Sequence, residues 1–447
     1  MMRQMIGAFL LLLGSIAAAD DWTQFQGPRG DGTSPERITL REWPAQGPPV
    51  AWKAKIKMGW SSPSVSKGEV FVAWTEQQNG AAETIACLDA ASGAEKWKYT
   101  YEIGPYWKRN IGWAPGGFRS TPAVDDRHVY ALGAIGHLHC LDRRTGKVVW
   151  MKNLWDEWFP SGEKGYSCSP MLMDGKLILY YGDGSHRVDN DKKEYFVLCR
   201  ALDPLTGAVL WTFSEPHRDG VPMGEGQTPA FTSIGGRTCA VFMGNRSLIA
   251  LSVADGKVVW RFECTHQHSR GTTIPTPLVL DRMIVNVPDL DTVHAVSFDP
   301  AKPEQAGAFA WRSDLFMFTS IHQFKARAGF LYGFAGEIQG ESAAAASKSV
   351  VKLACVDAAT GKAKWTEPGF QSGVAITEAD GLLFVRSYQT LRLVEATPEG
   401  YRKRGEIKVH DCRIPTVNLV DLVMPVVSGG RLYIRTPDEL ICYKMTK

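Results

Sequence analysis

The stretch CLDRRTGKVVW, at residues 140–150, occurs with small changes at four other places in the chain. The related segments are CLDAASGAEKW at 87–97, ALDPLTGAVLW at 201–211, ALSVADGKVVW at 250–260 and CVDAATGKAKW at 355–365. In the segment at 140–150, Asp142 is expected to begin a turn by bonding its own backbone, and Gly146 supplies the positive φ that the chain reversal needs. Such repetition predicts a fold built from copies of one supersecondary unit.

Each repeated turn lies between strands. Two apolar strands with their own Gly-containing turn precede it, as in SCSPMLMDGKLILYYGDG at 167–184, and a strand that ends in Trp follows it. Val, Leu, Ile and Tyr dominate these strands, without helical periodicity, so each unit is predicted to be a four-stranded antiparallel meander. The repeated Trp residues are 49 to 61 residues apart, close to the length of a propeller blade. They are Trp97, Trp150, Trp211, Trp260, Trp311 and Trp365.

Two further outer strands complete the count of blades. They are VAWKAKI around Trp52 and GEIKV from Gly405, while the last unit, at 425–445, has three strands and lacks its fourth. We therefore predict an all-β fold, an eight-bladed β-propeller of four-stranded antiparallel blades. The N-terminal strand would pair with the C-terminal blade and close the ring, which removes open sheet edges. The repeated indoles are expected to pack blade against blade.

The N-terminus has the layout of a secretory signal. Arg3 precedes an apolar run, and small residues up to Ala19 precede Asp20. We predict a signal peptide at 1–19, a leader segment at 20–49 and the propeller at 50–447, in a periplasmic or secreted protein cleaved near Ala19. No later run approaches the roughly 18 apolar residues of a membrane span. The 50 basic and 47 acidic residues nearly balance, which argues against nucleic-acid binding.

Nine cysteines are present. Cys87, Cys140, Cys355 and Cys442 share one register of the repeat and are predicted to be small core residues. The pairing of the others stays open, and an odd total leaves at least one thiol without an intramolecular partner. These are Cys168, Cys199, Cys239, Cys264 and Cys412.

The pattern of a small residue, Leu-Asp, two variable positions, Thr-Gly-Lys and Trp closely resembles the repeat of pyrroloquinoline quinone (PQQ) repeat β-propellers. That superfamily includes quinoprotein alcohol dehydrogenases and the propeller subunit of the outer-membrane β-barrel assembly machinery. The resemblance covers about residues 50–445 and is degenerate near 295–300 and 394–400. The opening DWTQFQGPRGDGTSP, at 21–35, is similar to the leader of exported propellers of planctomycete-like bacteria. The resemblance implies a fold and no particular reaction.

Several departures separate this sequence from those relatives. The dehydrogenases have adjacent cysteines under the quinone, whereas this sequence has no Cys-Cys pair and no Cys-x-x-Cys-His motif for haem. The lipid-accepting cysteine of the assembly subunit is also missing. PQQ with calcium, or a transition metal, is therefore a minor expectation, and no cofactor is predicted with preference.

A functional site is expected on the face that carries the long, non-repeating connections between blades, since such loops on a rigid scaffold often bind ligands. Their aromatic, basic and acidic side chains suit a polar ligand such as a sugar, although the same side chains would also serve to hold neighbouring loops together. The candidate ligand-binding residues are Trp107, Arg109, Trp113, Arg119, His217, Glu225, Arg270, His410 and Arg413.

The segment His266-x-His268 is the sharpest local feature. In an extended segment the two imidazoles point to one side, so they would reach one metal together with His322 or His217. Paired histidines at a strand end are also often solvated or bonded to backbone, and that alternative stays open. The catalytic candidates are His266, His268, Arg270 and His322. Two enlarged loops, at 182–195 and 335–350, have the composition of mobile surface and are interpreted as lids or as neutral insertions.

The leading functional hypothesis is a binding or scaffold protein at the cell envelope, with a protein partner or a carbohydrate in the funnel and no activity as an enzyme. The alternative is a propeller enzyme, a lyase or hydrolase of sugars or acidic polysaccharides, with or without the help of a metal. A PQQ-dependent dehydrogenase is the third hypothesis. The ligand, the partner and the oligomeric state are left open by the sequence.

Overall fold

The computed structural model describes residues 21–76, 82–103, 117–154, 166–188, 192–216, 227–244, 247–264, 276–286, 293–313, 324–337, 350–371, 374–387, 390–409 and 423–446. These residues form eight sheets, each a four-stranded antiparallel blade, and one blade carries a fifth, parallel strand. The first strands of neighbouring blades contact one another and so line a central channel. The predicted eight-bladed propeller is confirmed.

Two short strands precede the first complete blade, namely β1 (Thr33–Ser34) and β2 (Val50–Lys55). Blade 1 consists of β3 (Ser64–Ser66), β4 (Glu69–Thr75), β5 (Ala82–Asp89) and β6 (Glu95–Glu102). Blade 2 consists of β7 (Ala123–Val124), β8 (His128–Leu132), β9 (His137–Asp142) and β10 (Val148–Asn153). Blade 3 consists of β11 (Met171–Met173), β12 (Lys176–Val188), β13 (Lys192–Leu202) and β14 (Val209–Pro216). Blade 4 consists of β15 (Ala230–Ile234), β16 (Arg237–Met243), β17 (Ser247–Ser252) and β18 (Val258–Glu263).

The other half of the ring repeats this order. Blade 5 consists of β19 (Leu278–Leu280), β20 (Met283–Asn286), β21 (Val293–Ser297) and β22 (Ala308–Ser313). Blade 6 consists of β23 (Phe324–Arg327), β24 (Phe330–Glu337), β25 (Val350–Asp357) and β26 (Ala363–Phe370). Blade 7 consists of β27 (Val374–Ala379), β28 (Leu382–Ser387), β29 (Thr390–Glu395) and β30 (Lys403–Lys408), with β1 added in parallel to β27. Blade 8 consists of β31 (Val426–Ser428), β32 (Arg431–Arg435) and β33 (Glu439–Lys444), and β2 is its outer strand.

The short turns of each blade lie together on one face. The carboxylate of Asp142 accepts hydrogen bonds from the N–H and the hydroxyl of Thr145, and Gly146 follows with a φ of 69°. These bonds, the hydroxyl first, hold the pKa of Asp142 below its usual range. The next residue, Arg143, donates its N–H to the carbonyl oxygen of Arg127 in the turn between the first two strands. The outer strand of each blade therefore ends, and the first strand of the next blade begins, towards the opposite face.

The repeated indoles join neighbouring blades, as predicted. Six indoles donate their N–H to a backbone carbonyl in the turn of the following blade, and their rings pack against that turn. A Cβ on Gly146, for example, would collide with the ring of Trp97, so the repeat needs glycine there for packing as well as for its φ. The pairs are Trp52–Ala90, Trp97–Arg143, Trp150–Pro204, Trp211–Val253, Trp311–Ala358 and Trp365–Thr397, with N···O distances of 2.8–3.0 Å.

The interface between blades 4 and 5 differs. Trp260 is buried, but its indole N–H has no acceptor among the described residues. Its ring packs against Phe298, with centroids 5.4 Å apart, in the unit whose repeat is degenerate at 295–300. The degenerate turn therefore keeps the apolar contact and loses the hydrogen bond.

The two ends of the chain close the ring. Strand β2 pairs with β33, with Trp52 opposite Cys442, so the predicted closure is confirmed. The outer strand of blade 7 has no Trp. Instead, the indole of Trp43, from the segment before β2, packs against Gly405 and Phe384. The backbone N–H of Trp43 donates to the carbonyl oxygen of Arg404. The apolar cluster around it joins blades 7 and 8.

The described cysteines are buried thiols, and within the described ranges no disulfide is present. Cys87, Cys140, Cys355 and Cys442 each have a relative exposure of 0%, which confirms their prediction as core residues. Burial raises the pKa of each of these thiols above its ordinary value. Cys168, Cys199, Cys239 and Cys264 are also free and buried, and Cys412 lies outside the described residues.

One of the two enlarged loops is largely strand. Strands β12 and β13 stay paired through the insertion, from Gly184 opposite Phe196 to Val188 opposite Lys192, after a register shift at Tyr181. This insertion is therefore an extended hairpin where the composition had favoured a mobile loop. Most of the second insertion, at 335–350, lies outside the described residues.

Candidate functional site at the channel floor

Most of the predicted site residues lie outside the described residues, so their roles stay predictions. This holds for Trp107, Arg109, Trp113, His217, Glu225, His266, His268, Arg270, His322, His410 and Arg413. Arg119 is described and is 7% exposed, just before the first strand of blade 2. Its neighbour Phe118 donates its N–H to Thr75 of blade 1 and accepts a hydrogen bond from Trp60, so the backbone here is fixed to that blade.

His137 and His139 of blade 2 pack against aromatic rings. His139 is 1% exposed and lies against the rings of Tyr99 and Tyr101, with centroids 5.3 Å and 4.3 Å away. Burial, and to a smaller extent His137, lowers the pKa of His139 to about 3, so the ring is neutral in the folded protein. His128 lies at the short turn, where Tyr130 and Asp125 contact it.

The leader contacts the first strands of successive blades, in the order of the chain. Trp22 exchanges backbone hydrogen bonds with Val65 of blade 1, at 2.7 Å and 2.8 Å. Thr23 then accepts one from Val124 of blade 2, and the side-chain oxygen of Gln24 accepts one from Leu172 of blade 3. Residues 26–31 lie against the first strands of blades 4, 5 and 6.

Residues 33–36 of the leader contact blades 7 and 8 in the same order. Strand β1 pairs with the end of β27 in blade 7, with Thr33 opposite Glu378. The Glu36 carboxylate accepts hydrogen bonds from the backbone N–H groups of Gly429 and Gly430 in blade 8. Residues 21–36 of the leader therefore form a floor in the channel, near the ends of the first strands that lead into the short turns.

Charged side chains gather where the leader meets blades 6 and 7. Asp31 accepts hydrogen bonds from the N–H and hydroxyl of Thr33 and from Nε of Arg29, the last over 3.2 Å. Glu378, 5% exposed, accepts from Nη1 of Arg327 at 2.7 Å. Burial raises the pKa of Glu378 above its usual range, against the opposing effect of the nearby guanidinium. Each carboxylate thus has a basic partner.

One cation in this region has no such partner among the residues that the structure describes. Lys325 in β23 is 1% exposed, and burial lowers the pKa of its amine to about 8, partly opposed by Asp31. The sequence reasoning did not select Lys325 or the leader side chains. The available signal was the pair of basic residues, Lys325 and Arg327, in the short first strand FKAR, whereas the first strand of blade 5 is wholly apolar.

The comparisons with known proteins agree with this architecture. A family model described as outer membrane protein assembly factor BamB matches residues 81–193 and 196–315, slightly more than half of the chain. The chain belongs to this PQQ-repeat propeller family. This confirms the resemblance drawn from the repeat.

Curated relatives match only parts of the chain. The quinohemoprotein alcohol dehydrogenase of Comamonas testosteroni is 28% identical over 186 residues, which cover 34% of this chain and 25% of that protein. The tetrathionate hydrolase of Acidithiobacillus ferrooxidans is 25% identical over 177 residues, or 38% and 33% of the two chains. The matched regions thus span a third or less of the length of these relatives.

Solved structures match over nearly the whole chain. The crystal structure of quinohemoprotein alcohol dehydrogenase from Comamonas testosteroni has a TM-score of 0.64 at 13% identity, covering 96% of this chain and 81% of that one. The crystal structure of BamB from Moraxella catarrhalis has a TM-score of 0.59 at 13% identity, covering 88% and 99%. At these identities the likeness concerns the fold.

The sequence lacks the adjacent cysteine pair that the resemblance to the dehydrogenases implies under the quinone, and the eight described thiols are all buried. In the described ranges no three His, Cys, Asp or Glu side chains are grouped to hold a metal ion. No described helix is long and apolar enough to span a membrane.

Proposed function

We propose that this protein is an exported binding or scaffold propeller of the cell envelope, which engages a protein partner or a carbohydrate at the long-connection face of its channel. The observation that carries this proposal is the leader, which lies across the opposite end of the channel. Because residues 21–36 already contact the first strands there, a ligand reaches the funnel from the side of the long connections.

The composition of the long connections supports the same face. They carry aromatic side chains such as Trp107 and Trp113 together with Arg109. Aromatic rings stack on the apolar faces of sugars and anchor protein interfaces, while guanidinium groups bond hydroxyls and carboxylates. The family description as an outer membrane assembly factor supports a protein partner at the envelope, and the predicted signal peptide supports export.

The test compares the two faces in one binding assay. The mature protein is immobilised and probed with purified outer-membrane proteins and with neutral and acidic oligosaccharides. We expect Trp107→Ala and Arg109→Ala to weaken binding by about tenfold or more, because anchor residues dominate interface energies. Arg144→Ala, at an exposed position in a short turn, is the matched control and is expected to bind as the unaltered protein does.

Three results would overturn this proposal. Binding that is lost in Arg144→Ala and kept in both long-connection variants would move the interaction to the short-turn face. Reduction of a dye after addition of PQQ and calcium would identify a dehydrogenase instead. A bound transition metal that is lost in His266→Ala, together with cleavage of an acidic polysaccharide, would support the metal-dependent enzyme.

A further inference from the structure

Lys325 is a buried cation without a partner. It is 1% exposed, and within the part of the chain that the structure describes its Nζ forms no hydrogen bond and no ion pair. Burial of a charged amine costs free energy unless the charge is paired or hydrogen-bonded. An apolar residue at this position would avoid that cost. The presence of a lysine is explained if a ligand supplies the missing acceptor.

A small pocket adjoins this lysine. It lies between residues 26–31 of the leader and the first strands of blades 4, 5 and 6, and its polar lining consists of Gln26, Arg29, Asp31, Thr276 and Lys325. Its volume of about 30 Å³ has room for about two water-sized groups. The lining residues of blades 4 to 6 come from the beginnings of the first strands. The pocket therefore lies on the side of the leader that faces the long connections.

The charge of the pocket favours a single negative group. Asp31 is already engaged by Arg29 and Thr33, and Glu378 is engaged by Arg327 in the neighbouring blade. Arg29 and Asp31 compensate each other, which leaves the charge of Lys325 in excess. Since its pKa of about 8 lies above neutral pH, most of the amine is protonated there. One monovalent anion would balance the site.

The leader backbone is shaped around the lysine. Gly32 donates its N–H to the carbonyl oxygen of Gln26 at 2.8 Å, which closes the loop that contributes the pocket residues. Gly32 has a φ of 71°, and a Cβ there would collide with Nζ and Cε of Lys325. The glycine thus lets the lysine pass beneath the loop towards the pocket. The side-chain amide of Gln26, 6% exposed, also forms no hydrogen bond within the described part of the chain.

We propose that Lys325 and the amide of Gln26 bind the carboxylate of a small organic acid or of an acidic sugar at the floor of the channel, with Arg29 at the entrance. Two donors in the lining of one pocket suit the two oxygens of a carboxylate, and the single excess charge suits a monoanion more than a phosphate. This site goes beyond the proposed function, because it does not depend on what the long connections bind.

The test follows the lysine directly. The mature protein, labelled with ¹³C at the lysine ε carbons, is titrated by NMR with sodium acetate. Sodium chloride at equal ionic strength and neutral acetamide are the reference titrants. We expect acetate alone to shift the Lys325 resonance saturably and to raise the pKa of its amine, since a bound anion favours the charged form. The melting temperature is expected to rise over the same acetate range.

Variants show whether the response to acetate depends on Lys325. Lys325→Met identifies the resonance by its loss, and its melting temperature is expected to need about tenfold more acetate, or more, for the same rise. Lys302→Met, at an exposed lysine of blade 5, is the matched control and keeps the response. If Lys325→Met does not fold, Gln26→Glu replaces it, because the introduced carboxylate would pair with Lys325 and abolish acetate binding in a nearly isosteric protein. An equal response to chloride, an acetate response that persists in the folded Lys325→Met or Gln26→Glu proteins, or no response in the unaltered protein would overturn the proposal.

Discussion

Trp97 in blade 1 donates its indole N–H to the backbone carbonyl oxygen of Arg143 in blade 2, over 2.8 Å. The side chain of Arg143 returns to blade 1, where Nε bonds Glu69 at 2.8 Å and Nη2 bonds the carbonyl oxygen of Ser66 at 2.7 Å. The two residues thus connect the blades in both directions, while the ring of Trp97 covers Gly146. This arrangement explains why the repeat contains both a Trp and a Gly at fixed spacing.

Replacement of Trp97 by Phe separates the hydrogen bond from the packing. Trp97→Phe should lower the free energy of unfolding by about 2 kcal/mol, because a buried carbonyl loses its donor and the smaller ring leaves a gap. Trp260→Phe is the matched control, since the Trp260 N–H has no acceptor among the described residues. It should cost less, and urea unfolding followed by circular dichroism measures both. Equal losses in the two variants would mean that the indole hydrogen bond contributes nothing measurable.

The closure of the ring depends on a buried guanidinium. Arg435 is 1% exposed, and its Nη atoms donate to the carbonyl oxygens of Ser61, Ala73 and Lys57 at 3.0 Å, 2.6 Å and 3.0 Å. These bonds join blade 8 to the residues around the start of blade 1. A buried cation that meets several backbone dipoles replaces much of its lost hydration.

Arg435→Met should destabilise the protein by about 3 kcal/mol or more, since several buried carbonyls lose their donors. Arg404→Met is the control, because the Arg404 side chain is 38% exposed and among the described residues binds Glu395 alone, so its loss should cost less than about 1 kcal/mol. The midpoint of urea unfolding reports both. A loss for Arg435→Met as small as that for Arg404→Met would contradict the role of Arg435 in ring closure.

The repeat predicted the fold because its residues act locally. Asp142 and Gly146 determine a turn, and the alternation of apolar strands with such turns leaves a ring of blades as the consistent arrangement. The thiol of Cys140 could be assigned to the core for the same reason, from its register alone. These properties depend on residues within one unit or in the next unit, where the sequence pattern is visible.

The floor of the channel could not be predicted in this way. The surroundings of Lys325 include Asp31 and Gly32, which lie almost three hundred residues away in the chain and belong to no repeat. Trp43 likewise lies outside the repeat, and only the packing of the chain ends shows that it substitutes for the missing indole of blade 7. Contacts made once, between distant segments, leave no periodic signal in a single sequence.

The leader should therefore contribute to the stability of the ring. Trp43 is 6% exposed and packs between blades 7 and 8, so Trp43→Ala should lower the free energy of unfolding by about 3 kcal/mol through loss of burial and creation of a cavity. Leu205→Ala, at a 58% exposed position in a turn of blade 3, should have an effect within about 0.5 kcal/mol. Thermal unfolding checks both variants. Equal melting temperatures for the two would show that the leader packs without stabilising the ring.

The neutral imidazole of His139 predicts a dependence of stability on pH. Burial lowers its pKa to about 3 in the folded protein, compared with 6.5 for an unhindered histidine. Between these values the unfolded chain binds a proton that the folded chain does not, so the free energy of unfolding must fall as the pH falls through this window. From about pH 6.5 to about pH 4.5 the loss from this one group should be about 2 to 3 kcal/mol.

His139→Phe removes the titrating group and keeps an aromatic ring beside Tyr99 and Tyr101. We expect this variant to lose the corresponding part of the pH dependence between about pH 4.5 and pH 6.5, measured by urea unfolding at several pH values. His128→Gln, at the short turn, keeps His139 and should follow the unaltered protein. If His139→Phe retained the full slope, the proton taken up on unfolding would belong to another group, and the histidine would have to be protonated within the blade. That outcome would require an acceptor for its Nδ1, which has none among the described residues.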